Sequence, residues 1–412
     1  MMKKEHEAPQ AGEEGQQPNS LDDASKQPAG KFTDKFSSLL DKFTGQGTGS
    51  GSSLLGKSAG GADAAYLAAN VPPPKLYANV CVDHEMGEAY SDYENVEVLF
   101  GPQDDYEFTM KLGRGRYSEV FRGVDLLQNK DVVIKILKPV KKLKVRREIK
   151  ILEALQGGPF VIELLNKVAD PSTRTPSLVF EYVDNTDFRA LWPMLSLCDV
   201  QTYILQVLIG LDYAHSRGII HRDIKPGNVL INHKQRQIRI ADWGLADFYI
   251  PGKKFNCRVA SRYFKGPELL VGMTHYDYQL DVWSTGCMLA GMIFQREPFF
   301  KGVDNYDQLI KIAKILGTPD VLDYVDRFNL KLVPQIDSKL QNFKKKQWEK
   351  FITTQNSHLL PTPLVRDELF DLLTRMLTID HSLRITAREA IQHDFFKDVR
   401  EQIYEECIPD HP

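Results

Sequence analysis

The run His221-Arg222-Asp223-Ile224-Lys225-Pro226-Gly227-Asn228 constrains this chain more than any other stretch of it. A carboxylate and a carboxamide five residues apart on a tight loop, with a lysine between them, can orient a hydroxyl, hold a cation and neutralise charge that develops on a transferred group. Asp242-Trp243-Gly244 follows, and its carboxylate is a hard oxygen ligand suited to Mg²⁺. Gly266-Pro267-Glu268 closes the segment. Each string alone has an ordinary structural explanation. Their shared order and spacing do not.

Two upstream features belong with them. Gly113-Arg114-Gly115-Arg116-Tyr117-Ser118-Glu119-Val120 lies between two predicted strands. Glycines there let the backbone turn tightly and aim N–H groups at phosphates. Ser118 stands where a third glycine is usual, and an ordinary hairpin turn is the competing explanation. No helix and no G-K-[ST] follows, which excludes a P-loop. Val132-Val133-Ile134-Lys135 then puts a lysine at the end of an apolar strand. A buried ammonium needs a partner, and Glu148 on the following predicted helix can supply it. A strand-edge lysine reaching water is the alternative.

Organisation follows from composition and period. At about 150 residues per domain, 412 residues mean two or three domains, or one two-lobed unit with an appendage. Residues 1–72 hold G-Q-G-T-G-S-G-S-S, end at the start of Pro72-Pro73-Pro74, and bury too little apolar surface to offset ordering entropy. They are expected to be a disordered extension. Within them Phe32, Phe36, Leu39, Leu40 and Phe43 share one helical face, either as a transient helix without a role or as an amphipathic turn that docks or touches a membrane. Strands are predicted at 108–112, 119–124 and 131–137, a helix at about 141–155, and further strands near 161–167 and 178–182. The helix stripe is Val145, Ile149, Leu152 and Leu155. Beyond about 188 the pattern is helical, at 197–216, 279–294, 304–316, 366–377 and 386–391, with short strands flanking 220–240. This is a small β-rich lobe followed by a larger α-rich one.

Several classes drop out. The net charge of −3, from 52 Lys+Arg against 55 Asp+Glu, argues against a general nucleic-acid binder. Cys81, Cys198, Cys257, Cys287 and Cys407 are odd in number and form no C-x-x-C, which points away from a disulfide framework or zinc site and towards a reducing compartment. The longest apolar stretch, 288–294, is far too short to span a membrane. The start, M-M-K-K-E-H-E, has no apolar core for a signal peptide and carries early acids, unlike a transit peptide.

The glycine loop, strand lysine, helix glutamate, H-R-D-x-x-x-x-N, D-W-G and G-P-E together resemble the protein-kinase signature set, over about residues 105–400. R-D-I-K-P resembles serine/threonine kinases. The stretch from Leu316-Gly317-Thr318 to Pro363 resembles the insertion of the cyclin-dependent and related kinases. D-W-G, G-P-E, G-R-G-R-Y-S-E-V-F, I-L-K-P-V-K-K and V-A-S-R-Y-F-K-G-P-E-L-L resemble, more narrowly, the catalytic subunits of casein kinase II. The implied fold class is α+β: a bilobal kinase with a small antiparallel sheet and one helix at 105–184, a larger helical lobe at 185–400, an N-terminal segment 73–104 docked on the core, and a short tail 401–412. Location in the cytoplasm and nucleus goes with the resemblance.

The same resemblance implies roles. Leu112, Gly113, Arg114, Gly115, Ser118, Val120 and Val133 would line the nucleotide site. Lys135, oriented by Glu148, would meet the α- and β-phosphates. Asp242 and Asn228 would hold Mg²⁺. Asp223 would accept the substrate hydroxyl proton, and Lys225 would stabilise the γ-phosphoryl. The backbone of Glu181, Tyr182 and Val183 would bind the purine, with Phe180 limiting pocket depth. The family uses GTP as well as ATP, which leaves both nucleotides open. Asp281 and Arg384 fit the family's structural aspartate and the arginine that pairs with Glu268. Phe108, Phe121, Ile134, Val168 and Val179 match the face that carries a regulatory beta subunit, within a heterotetramer of two catalytic and two beta chains, although a plain sheet core would be apolar too. A pseudokinase scaffold is the rival class, against which stand Lys135, Asp223, Asn228 and Asp242.

Local charge bears on substrate choice. Residues 135–150 hold eight Lys/Arg and one acid, Glu148. Lys141, Lys142 and Lys144 sit at the helix start, where positive charge opposes the helix dipole. Arg258, Arg262 and Lys265 lie in the segment before Gly266. Two basic patches around one hydroxyl site imply acidic protein substrates; a solvated basic face is the alternative. Leu143 interrupts a lysine run that is usually unbroken in the family. The segment 245–265 offers Tyr249, Ser261 and Tyr263 but no threonine, and Ser261 aligns with a hydroxyl that contacts the catalytic loop. Residues 76–110 contain no Lys or Arg but hold Asp83, Glu85, Glu88, Asp92, Glu94, Glu97, Asp104, Asp105 and Glu107. They suit docking beside the basic helix, or form a solvated linker.

Overall fold

The computed structural model describes residues 70–115, 118–138 and 141–407. The stripe of Phe32, Phe36, Leu39, Leu40 and Phe43, and with it nearly all of the 1–72 extension, lies outside these residues, as do Arg116, Tyr117 and 408–412.

Five runs rich in β-branched and aromatic residues pair as one antiparallel sheet. They are β1 (Tyr106–Arg114), β2 (Ser118–Asp125), β3 (Lys130–Leu137), β4 (Leu164–Ala169) and β5 (Pro176–Glu181), in the order β1-β2-β3-β5-β4. Successive side chains on a strand take opposite faces. On β3, Val132, Ile134 and Ile136 therefore share the outer face, and Lys135 is turned inward. Gly123 sits where β1 and β3 approach closely: a Cβ there would lie 2.6 Å from the Glu107 carbonyl oxygen and 2.7 Å from Ile134 Cδ1. Beneath the sheet runs α1 (Lys142–Ala154), which buries Val145, Ile149 and Leu152 at helical spacing. It has no acid in its first turn and no side-chain cap at Lys141.

The larger lobe is built on α2 (Leu197–His215) and α3 (Gln279–Ile293). Ser196 and Asp199 form a capping box that starts α2. Every residue of α3 is buried, as a helix at the centre of a domain must be. Shorter helices at Asn305–Leu316, Thr318–Arg327, Pro363–Met376, Ala387–Ile391 and Lys397–Cys407 surround them. Glu268 and Arg384 pair through two hydrogen bonds of 2.8 and 3.0 Å with neither side chain exposed.

Several boundaries depart from the sequence-based expectation. The fourth strand occupies 164–169 rather than 161–167, because Phe160 takes a left-handed φ of 60° and delays it. Val161 instead makes an isolated parallel bridge to Ile240. The helix at 318–327 was not expected: Pro319 sits within its first turn, where a missing N–H costs nothing, and the acidic run behind it hides the buried Val321, Tyr324 and Val325. The helix at 397–407 was likewise not expected. Phe108, Phe121, Ile134, Val168 and Val179, proposed as a partner-binding surface, do share the outer face. They are nevertheless only 0–9% exposed, packed with Tyr106, Val132 and Ile136 into one cluster. They serve as core, with little of their area facing solvent.

The segment 73–104 runs across both lobes. Lys75 Nζ donates to the Arg384 carbonyl at 3.0 Å, and Tyr77 Oη to Asp212 at 3.0 Å. Tyr90 Oη donates to the Arg217 carbonyl at 2.8 Å. From α1, Arg146 and Lys150 donate to the carbonyls of Glu94 (2.6 Å) and Ala89 (2.8 Å). These hydrogen bonds from the basic helix reach main-chain carbonyls rather than the segment's carboxylates.

Removing one partner of a buried ion pair strands the other charge. Arg384→Ala should therefore destabilise the larger lobe by about 3–5 kcal/mol, read as a lowered urea midpoint; an unchanged midpoint would mean that the pair contributes nothing.

Candidate active site

Strand register assembles the candidate catalytic residues. The hairpin of Val229–Asn232 and Gln237–Ile240 pairs Val229 with Ile240. Asn228 and Ala241 thus meet just beyond its end, where the Ala241 N–H donates to the Asn228 carbonyl at 2.8 Å. Asp242, the next residue, is thereby held beside Asn228, in a left-handed conformation with φ 60°. Trp243 follows, buried, with its indole N–H on the Ile240 carbonyl at 3.0 Å. Gly244 passes so close to Glu148 that a Cβ would lie 3.2 Å from Glu148 Oε2.

The catalytic loop hangs from α3. Asp281, fully buried, accepts the backbone N–H groups of His221 and Arg222, both at 2.8 Å, and a contact from His215 Nε2 at 3.1 Å. This accounts for the left-handed φ of 67° at Arg222: the carboxylate offsets the strain. His221 Nδ1 accepts the Asp223 N–H, so its other nitrogen donates to the Ala241 carbonyl at 3.2 Å. Burial holds the His221 imidazole below its ordinary pKa. The neutral ring ties the catalytic loop to the segment before Asp242.

Asp223 is held at both oxygens. Oδ1 accepts the N–H (2.8 Å) and hydroxyl (3.0 Å) of Ser261. Oδ2 accepts from Lys225 and, at 3.1 Å, from Asn228 Nδ2. Lys225 Nζ also donates to Ser261 Oγ at 3.1 Å. The segment 245–265, the activation segment of the kinase resemblance, is therefore fastened to the candidate base and to the lysine beside it.

Lys135 joins the two lobes. Its ammonium lies 2.7 Å from Glu148 Oε1 and 2.7 Å from Asp242 Oδ1. Burial would lower its pKa, but the two carboxylates outweigh burial and raise it. In return the Lys135 ammonium holds the Asp242 carboxyl down at about 2. The Asp242 side chain is half exposed and faces the cleft between the lobes. Asn228 gives its amide nitrogen to Asp223, which leaves an amide oxygen as donor atom. A carboxylate and an amide oxygen are the hard donors that Mg²⁺ takes alongside phosphate oxygens, so these residues fit a metal–nucleotide complex.

The nucleotide-site candidates differ in burial. Val120 and Val133 are half-buried, Leu112 is exposed and Phe180 is buried in the main core. Glu119, buried at the base of the glycine loop, holds Lys111 (2.9 Å) and Arg114 (3.2 Å) and so fixes the strand bearing Gly113. The Gly115 N–H lies outside that clamp and donates to the Ser118 carbonyl at 2.9 Å. At the far end, the Glu181 N–H is committed to the Glu163 carbonyl at 3.1 Å, and the Val183 carbonyl accepts the Asn185 N–H at 2.8 Å.

Of the substrate-binding candidates, Lys141, Lys142 and Lys144 are exposed, as are Arg258 and Arg262, the latter donating to the Val303 carbonyl at 2.6 Å. Lys265 departs from expectation. It is buried, its ammonium donates to the Val259 carbonyl, and desolvation lowers its pKa. It braces the activation segment from within. Sequence reasoning missed Glu119 and Asp247, whose roles depend on partners far away in the chain.

The model of the protein kinase domain family matches residues 106–396. The match spans both lobes, from the first strand of the sheet to the turn after the Arg384 pair. It takes in the strand lysine, the catalytic loop, Asp242 and the activation segment, and the chain belongs to the protein kinase family.

Proposed function

We propose that this protein kinase is a serine/threonine kinase of the casein kinase II catalytic type, acting on protein substrates with acids C-terminal to the target hydroxyl. Phosphoryl transfer needs positioning and charge stabilisation more than covalent chemistry from the protein. A bound divalent metal, Mg²⁺ in this proposal, neutralises charge on the phosphate oxygens. Asn228 and Asp242 are the residues that would hold it. Lys135, fixed by Glu148, binds the α- and β-phosphates of ATP, and GTP use is proposed on the resemblance alone. Asp223 orients the incoming hydroxyl and takes its proton. Lys225, within reach of both Asp223 and Ser261, steadies the phosphoryl group in transit.

Acid direction is carried by one observation: α1 begins with exposed Lys141, Lys142 and Lys144, and its first turn carries no acid. Positive charge at a helix N-terminus opposes the helix dipole. An acidic peptide laid across it offsets that cost. Arg258 and Arg262 extend the same surface. A regulatory beta subunit, the partner implied by the resemblance, is proposed to meet the outer sheet face at its rim, since the five residues first assigned to it are buried.

The direct test is a phosphorylation assay on paired acidic and basic peptides with ATP and with GTP. Preference for the basic peptide would refute acid direction. Lys135→Met and Asp223→Asn should each abolish turnover, falling at least about 10²–10³-fold; retained turnover would reassign the site. Replacing Lys141, Lys142 and Lys144 by alanine should raise KM for the acidic peptide far more than KM for ATP, and equal losses for acidic and basic peptides would sink that assignment. Deleting residues 1–72 should spare activity, whereas deleting 1–100 should remove it, because the longer deletion takes away the Tyr90, Ala89 and Glu94 contacts.

A further inference from the structure

Ser91-Asp92-Tyr93-Glu94 sets a hydroxyl one residue before an aspartate and three before a glutamate. Acids C-terminal to a target hydroxyl are what the proposed kinase selects, and here the chain carries them itself. Ser91 is half-buried and ends the short turn Gly87–Tyr90, where its N–H bonds back to the Glu88 carbonyl. Its hydroxyl has no hydrogen-bond partner among the described residues. Asp92 closes the next turn. Its carboxylate accepts the N–H groups of Glu94 (2.9 Å) and Asn95 (3.2 Å) and the Asn95 amide at 2.8 Å.

Two cations of α1 bracket that hydroxyl along the chain. Arg146 and Lys150 stand one turn apart on the helix. Lys150 holds the carbonyl of Ala89, before Ser91, and Arg146 that of Glu94, after it. Arg147, between them, has a carboxylate of its own, Asp247 at 3.2 Å. Arg146 and Lys150 have no carboxylate partner among the described residues. Neutral carbonyls satisfy their hydrogen bonds but not their charge. A phosphate on Ser91 would bring about −1.5 to −2 charge and three acceptor oxygens, and cations bond such oxygens more strongly than they bond a carbonyl. Glu88, Asp92 and Glu94 are the acids beside it in the chain. Glu88 and Glu94 are exposed, where solvent and salt screen them, and Asp92 is engaged with its own turn.

We propose that Ser91 is a phosphoacceptor for a second copy of this chain, and that Arg146 and Lys150 receive the phosphate it acquires. This rests on the acid-directed kinase reading and names one substrate for it. The turn carrying Ser91 opens locally and enters the cleft of the acting copy. Ser91 Oγ attacks the γ-phosphorus of ATP there, and its proton passes to Asp223 of the acting copy. The bond from the γ-phosphorus to the β–γ bridging oxygen breaks, and ADP leaves. When the turn closes back onto α1, the two cations exchange main-chain carbonyls for phosphate oxygens.

The test uses full-length chains. Wild type is the enzyme, with ATP and Mg²⁺; the Asp223→Asn chain, which cannot transfer, is the substrate; an acidic peptide runs alongside. Mass spectrometry should place phosphate on Ser91 of the Asp223→Asn chain, and adding Ser91→Ala to that chain should remove the signal. Ser20 and Ser38 also stand three residues before an acid, Asp23 and Asp41. Phosphate confined to them while the peptide is phosphorylated overturns the proposal and leaves the kinase reading standing. An unphosphorylated acidic peptide overturns acid direction, and the proposal with it. Phosphatase reads the receptor separately, in a chain with Ser20 and Ser38 replaced by alanine. Ser91 phosphate should be released at least about tenfold faster when Arg146→Ala and Lys150→Ala are added, as for lost charge-assisted hydrogen bonds. Equal release from folded chains overturns the receptor. If the chain with both substitutions does not fold, the Tm of its phosphorylated parent decides: a rise of about 2 °C or more supports the receptor, and an unchanged or lowered Tm overturns it.

Discussion

The ammonium of Lys135, shared between Glu148 and Asp242, is the interaction on which the rest of the architecture depends. A buried cation is costly without counter-charge. The sheet can therefore carry this lysine inward only if α1 brings Glu148 and the loop after the hairpin brings Asp242. Three elements from two lobes are thus committed to one point. The nucleotide phosphates and their metal are drawn to the same place, because Asp242 keeps half its side chain open to the cleft.

A second layer of buried carboxylates carries that arrangement outward. Asp281 fixes the backbone of the catalytic loop, Asp247 gathers the loops around it, and Glu268 anchors the end of the activation segment on Arg384. Such contacts are worth little in water and much inside the protein, where an unmatched cation or N–H group has no alternative partner. The chain's net charge of −3 conceals this division of labour. Interior acids hold the loops together, while bases on α1 and in the 245–265 stretch stay exposed.

Much of this was legible before any coordinates. The alternating pattern of β3 located Lys135, and the spacing of apolar residues located α1 with Glu148 facing it. The catalytic loop and Asp242 announce themselves because local chemistry needs those residue types close together in the chain. What stayed hidden depends on distant partners. Lys265 looked like one more surface base, and only the fold shows it turned inward onto Val259. The outer sheet residues looked like an interface, and packing against one another makes them core. Asp247 carried no signal at all, since its donors come from positions 147, 222 and 253. The delayed fourth strand turned on a backbone angle at Phe160 that no periodicity encodes.

Trp243 has a last consequence. A phenylalanine in its place could swing out of its pocket at the expense of apolar contact alone. The indole must also surrender its hydrogen bond to the Ile240 carbonyl. That bond helps to hold Asp242, the residue before it, in its observed geometry. Small molecules that require this ring to vacate its seat should find poor footing, and selectivity is better sought in the shape of the nucleotide cleft.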